Sequence, residues 1–217
     1  MNEERILLVG CGGHASVLVD LLEVCGLLPD VLGCTDRPGS EEVSFCGLPI
    51  LGSDADIRRI ADKEPLALVV GVGSGRDMVR RTEVVRRLDL LGLPFRTLVH
   101  PSAVVSRSVR IGEGAAVMAG AIINAGATVG RLAVLNTGCI VEHGCQVGDN
   151  TLIGPGAVLS GQAKVGSDTL VGSLAVVLPG VRVGDRCVVA AGAVVTRDVP
   201  DDVRVAGVPA RNMEEKG

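Results

Sequence analysis

The chain has 217 residues, a formal net charge of −4, 47% apolar residues and 30 glycines, but only two Phe and neither Trp nor Tyr. The apolar share excludes extended disorder, the acidic balance excludes a basic nucleic-acid-binding field, and a core without aromatics has to be narrow. Despite a mean hydropathy of +0.43, Gly or charged residues break every apolar run before the roughly 18 residues that a membrane span needs.

The opening Met1-Asn2-Glu3-Glu4-Arg5 has no basic segment followed by a long apolar stretch, which predicts no secretory leader and a cytoplasmic location. Seven Cys, an odd number with no C-x-x-C pair, read as free thiols in that compartment.

Arg5 to Val9 predicts a buried strand, followed by the turn Gly10-Cys11-Gly12-Gly13-His14-Ala15. Leu18, Leu21, Leu22 and Cys25 then recur at helical spacing until Gly26. A second strand is expected near Val31 to Thr35, ending at Asp36. Ser53 caps a helix running to about Asp62, Leu66 to Val72 is a third strand, and a helix covers Arg76 to Leu91. This order predicts half of a doubly wound α/β sheet, with a ligand at the C-terminal ends of its strands. A Gly-rich turn opening a helix presents backbone N–H groups to a phosphate, and Asp36, about 20 residues on, stands where a carboxylate can meet a ribose or base.

From Val99 to Val195 an aliphatic residue stands at every sixth position, giving seventeen hexapeptides without a break. Four positions after each lies a small or β-branched residue, as at Ala115, Ala121, Cys139, Cys145 and Cys187. A period of six fits neither a helix nor an alternating strand; it fits a short strand and a corner repeated around a three-sided prism. Gly or Asn at Gly114, Gly120, Gly126, Gly138, Asn150, Gly156 and Gly192 supplies permissive corner backbone. Three hexapeptides per coil predict about 5.7 coils and a height of roughly 27 Å.

The Gly10–Ala15 turn, Thr35-Asp36, Val72-Gly73-Ser74, the hexapeptide series and the closing Ala206-Gly207-Val208-Pro209-Ala210-Arg211 together resemble the bacterial hexapeptide-repeat sugar O/N-acetyltransferases of the sialic acid and UDP-4-amino-sugar type. The resemblance runs over essentially the whole chain. It implies a Rossmann-like nucleotide-sugar-binding domain over residues 1–98 and a left-handed parallel β-helix over 99–217. It also implies a homotrimer with acetyl-CoA lying between neighbouring prisms, and neither metal, nucleic acid nor membrane as partner. Residue by residue, it assigns the nucleotide-sugar to Gly12, Gly13, His14, Asp36, Gly73 and Ser74, and acetyl-CoA to Leu152, Gly161, Ser173 and Ala191.

Of three His, His14 lies in the phosphate turn, His100 at the junction of the two halves, and His143 alone within the coils, too few for a zinc site in the prism. The stretch Leu135-Asn136-Thr137-Gly138 with Val141-Glu142-His143 resembles the family's catalytic segment, which implies that His143 is the general base. An imidazole, titrating ordinarily near about 6.5, can take the proton that a sugar amine or hydroxyl loses on attacking a thioester. Several relatives have an acidic residue directly after this His. Here Gly144 stands there, which leaves Glu142 or Asn136 to orient the ring or place the substrate. The expected activity is N-acetylation of a UDP- or GDP-linked 4-amino sugar in surface glycan synthesis. O-acetylation of sialic acid, or a non-catalytic nucleotide-sugar-binding scaffold, stand as alternatives.

Overall fold

The structure, a computed structural model, describes residues 4–213. Its first part is a five-stranded sheet of β1 (Arg5–Val9), β2 (Val31–Asp36), β3 (Ser44–Phe45), β4 (Leu48–Ser53) and β5 (Leu66–Val70), in the order β3-β4-β2-β1-β5. All strands are parallel except β3, which pairs antiparallel with β4. Their continuous apolar sequences suit burial on both faces. On one face Leu7, Val9, Leu68 and Val70 pack under α2 (Ile57–Ala61) and α3 (Val79–Asp89). On the other, Ile6, Leu8 and Val69 pack with α1 (Gly13–Val24) and with the second part of the chain.

Three elements are shorter than the sequence predicts. The helix expected from Ser53 begins as a 3-10 turn, Asp54–Asp56, closed by reciprocal hydrogen bonds between Ser53 and Asp56. The strand expected to reach Val72 stops at Val70, because Gly71 is pressed against the first turn of α1; a Cβ there would lie 2.8 Å from that of Ala15. The helix expected from Arg76 starts at Val79, whose N–H donates to Asp77 Oδ1 at 3.2 Å.

From Leu98 onward the chain winds as a three-sided parallel β-helix of two-residue strands that pair with the strand eighteen residues later, until the last coil, where the offset shortens to sixteen, as in Val188 with Arg204. The second residue of each strand points inward with the small residue of the corner, so Val117, Ala121, Leu135, Cys139, Val141 and Cys145 are buried in one column of core. At each corner one residue is left-handed, and this recurs every sixth position from Gly114 to Gly192. Glycine fills most of these, but Leu132, Asn150, Gln162, Asp168, Leu174 and Arg186 also adopt positive φ.

The first residue of each strand points outward, and the three faces differ. One shows Leu98, Ala116, Val134, Leu152 and Leu170, all buried against the N-terminal domain. The next shows Val104, Ile122, Ile140, Val158, Val176 and Val194, β-branched throughout, with Val104 exposed and the other five half-buried. The last shows Arg110, Thr128, Gln146, Lys164 and Arg182 and is polar. Among the described residues no helix is long and apolar enough to cross a membrane.

Candidate active site

The C-terminal ends of β1, β2 and β5 lie side by side, and the turn after β1 opens directly into α1. Gly12 and Gly13 are exposed there, with open space where a Cβ would stand. His14 packs on Gly73, where a Cβ would come within 2.9 Å of its own. Burial first, and the nearby Arg81 cation second, push the His14 imidazole down to about 4. Its Nε2 is buried and has no hydrogen-bond partner among the described residues. At the end of β2 the Ser40 hydroxyl, with help from the Arg37 N–H and the Arg37 and Arg80 cations, holds the Asp36 carboxyl below its ordinary range despite partial burial. Gly12, Gly13, His14, Asp36, Gly73 and Ser74 thus line the end of the sheet at which parallel strands receive ligands. At Cys11, burial and then Cys34, whose Sγ is 3.3 Å away, push the thiol far up.

His143 lies on the corner between the β-branched apolar face and the polar face, the prism edge opposite the N-terminal domain. It is exposed, and its ring rests on the next coil over Gly161; a Cβ at Gly161 would stand 2.5 Å from its Nε2. The Gln162 N–H donates to the His143 carbonyl at 2.8 Å, tying the two coils at this point. Cys145, two residues on, is buried and donates to the Ser160 carbonyl at 3.1 Å, a core role.

Neither candidate for orienting the ring touches it. Glu142 Oε2 accepts from the backbone N–H of His143 at 3.3 Å, and Asn136 accepts from Thr137 N at 2.8 Å. Asn136 lies on the corner at the other edge of the apolar face, the same edge that carries Ser173 and Ala191, while Gly161 is beside His143. Leu152, only 5% exposed, is the outward residue of the face that the N-terminal domain covers, so its side chain meets that domain and leaves only its backbone for acetyl-CoA. Arg81 has no part in the sequence reading, although it is 2% exposed between the two domains. Its place three, four and seven residues before Val84, Val85 and Leu88 puts it on the buried face of α3, a helical spacing that could have marked it.

A half-Rossmann sheet joined to a hexapeptide prism with an exposed imidazole on its edge defines a hexapeptide-repeat acyltransferase with an added N-terminal α/β domain. Residues 5–88 match the PglD N-terminal domain, and residues 126–161 and 162–197 match the bacterial transferase hexapeptide (six repeats) family. Perosamine N-acetyltransferase from Caulobacter crescentus, solved with CoA and GDP-perosamine as a variant with one histidine replaced by asparagine, is 37% identical over 98% of both chains, with a TM-score of 0.90. The acetyltransferase domain of PglB from Neisseria gonorrhoeae FA1090 is 30% identical over 97% of this chain and 100% of that one, with a TM-score of 0.84. UDP-N-acetylbacillosamine N-acetyltransferase of Bacillus subtilis (strain 168) is 36% identical over 122 residues, so the match spans about half the length of this curated relative, 52%. The chain belongs to this family of hexapeptide-repeat sugar acetyltransferases, and its prism is the family's left-handed β-helix.

Proposed function

We propose that the protein transfers the acetyl group of acetyl-CoA to the amino group of a nucleotide-linked 4-amino sugar, in the cytoplasm and as a homotrimer, with residues 1–98 holding the nucleotide-sugar and 99–217 carrying the transfer. The observation that carries this reading is the exposed His143 ring, laid on Gly161 at the edge of the apolar prism face. The relatives solved with CoA and GDP-perosamine support the substrate class.

His143 acts as the general base. The sugar amine attacks the thioester carbonyl and the C–N bond forms; His143 takes the proton from nitrogen and hands it to the CoA sulfur as the C–S bond breaks, so that CoA leaves as the thiol. An oxyanion develops on the acetyl oxygen and needs a fixed donor. The Gly161 N–H, with no hydrogen-bond acceptor among the described residues, is a candidate beside the ring. Gly12, Gly13, His14, Asp36, Gly73 and Ser74 bind the nucleotide-sugar; Gly161, Ser173 and Ala191 line the path of acetyl-CoA.

The trimer is supported by the faces of the prism. The column from Val104 to Val194 is apolar throughout and no more than half-buried, and His143 stands on the edge farthest from its own nucleotide cleft. A contiguous accessible apolar surface of this kind marks an interaction site. A neighbouring copy laid on that face brings its own cleft toward this His143, which one chain cannot do alone.

The test is His143→Gln assayed with acetyl-CoA and, in turn, GDP-perosamine, UDP-N-acetylbacillosamine and sialic acid. Turnover of a 4-amino sugar is expected in the wild type and should fall by about 10²- to 10⁴-fold in the variant, with acetyl-CoA binding retained. Unchanged turnover would remove the general base, and turnover of sialic acid alone would replace amine transfer by hydroxyl transfer.

A further inference from the structure

Arg81 is a buried cation with no carboxylate against it among the described residues. The four hydrogen bonds it makes to described residues divide evenly between the two domains. Within the N-terminal domain its Nη1 donates to the Val70 carbonyl at 3.4 Å and to the Val72 carbonyl. Into the prism, its Nε donates to Asn150 Oδ1 at 2.9 Å and its Nη2 to the Leu132 carbonyl at 2.9 Å. Asn150 is held in turn: its Nδ2 donates to Thr82 Oγ1 at 3.1 Å and to Asp168 Oδ1 at 2.7 Å. Leu132 and Asn150 are left-handed residues on one prism corner, one coil apart.

Burying a cation costs free energy that an apolar side chain of similar size avoids, so attachment of one domain to the other does not explain an arginine here. A planar guanidinium supplies direction, because its donors lie in one plane at fixed angles. The acceptors it fixes in the N-terminal domain flank Gly71 and end immediately before Gly73, on which His14 packs.

We propose that Arg81 is a positioning residue: it braces the end of β5, and with it the Gly73-Ser74 turn and His14, against the prism, so that the nucleotide-sugar is held at a set distance from the transfer edge. The proposal rests on the assignment of that turn to the nucleotide-sugar. It separates the two substrates, because the brace touches the nucleotide cleft and lies on a different prism corner from His143.

Arg81→Met and Asn150→Gly test it. The second deletes one acceptor at a backbone position, φ +52°, that glycine adopts freely, so it keeps the test open where the first fails to fold. Hydrogen exchange over residues 70–74 should quicken about tenfold or more in both variants, with exchange around His143 unchanged. The KM for whichever of GDP-perosamine and UDP-N-acetylbacillosamine the wild type uses should rise about tenfold or more, and the KM for acetyl-CoA should stay within about twofold. In Arg81→Met, NMR titration of His14 should move upward, since a neighbouring cation is lost. A lower melting temperature with unchanged exchange in the turn, or equal rises in both KM values, would make Arg81 a domain fastener and overturn the proposal. If the wild type uses neither nucleotide-sugar, the transfer reading falls on its own; exchange in the turn and calorimetric binding of GDP and UDP then decide the brace.

Discussion

Gly161 has an ordinary negative-φ backbone, and what it contributes is the absence of a side chain. The His143 ring fills the space that a Cβ would take, at 2.5 Å from Nε2 and 2.8 Å from Cε1. Gly161→Ala therefore keeps the coil and moves the ring. We expect kcat to fall about tenfold or more, because a displacement of about 1 Å at a reacting group can cost 10²-fold, with a melting temperature close to that of the wild type. Steady-state kinetics beside a melting curve check both halves, and an unchanged kcat would mean that the ring is free to lie elsewhere. At this scale the sequence is uneven. His143 is legible as an outward corner residue, but its seat on Gly161 joins positions eighteen apart in sequence and depends on how the coils stack. Leu152 shows the same limit from the other side: as the first residue of its strand it points outward, and only the domain packed over that face buries it.

The coils are held by hydrogen bonds between successive rungs, and one inner column adds side chains to this ladder. Thr151 Oγ1 donates to the Gly166 carbonyl at 2.6 Å and accepts from Thr169 N at 3.2 Å; Thr169 Oγ1 donates to the Gly184 carbonyl at 2.9 Å and accepts from Cys187 N at 3.0 Å. Thr169 is fully buried, so Thr169→Val keeps its volume while leaving a carbonyl and an N–H short of a partner. A loss of roughly 1–3 kcal/mol is expected by chemical denaturation. A neutral change would show that the rung bonds suffice without the hydroxyl. The period of six makes the strands and corners readable, since each rung repeats one local steric problem. The left-handed corners at Leu132 and Leu174 are less readable, because leucine carries no local preference for positive φ. At Leu132 tertiary packing compensates, the side chain being buried beside Phe95 and Gly114.

At the scale of the molecule, His143 and the strand ends of the N-terminal sheet lie on opposite sides of one prism, and the apolar face from Val104 to Val194 runs along the edge that carries His143. A lysine at the centre of that face should prevent copies from associating. For Val158→Lys we expect the mass in solution to fall from three chains to one and turnover to fall with it, while Gln146→Lys on the polar face leaves both unchanged. Sedimentation and kinetics on the two variants check this, and full activity in a monomeric Val158→Lys protein would sink the shared site.

The chain's own pattern determines that residues from Leu98 onward wind into a three-sided column and that a half-Rossmann sheet precedes it, because inward and outward positions at a period of six, and apolar strands bounded by Gly-rich turns, are set by near neighbours. Two outward columns, Leu98 to Leu170 and Val104 to Val194, are equally apolar in sequence. Which of them the chain covers itself, where Arg81 is buried, and which prism edge remains for chemistry are decided only when the N-terminal domain settles against one face, a contact between segments far apart in sequence that no local spacing encodes.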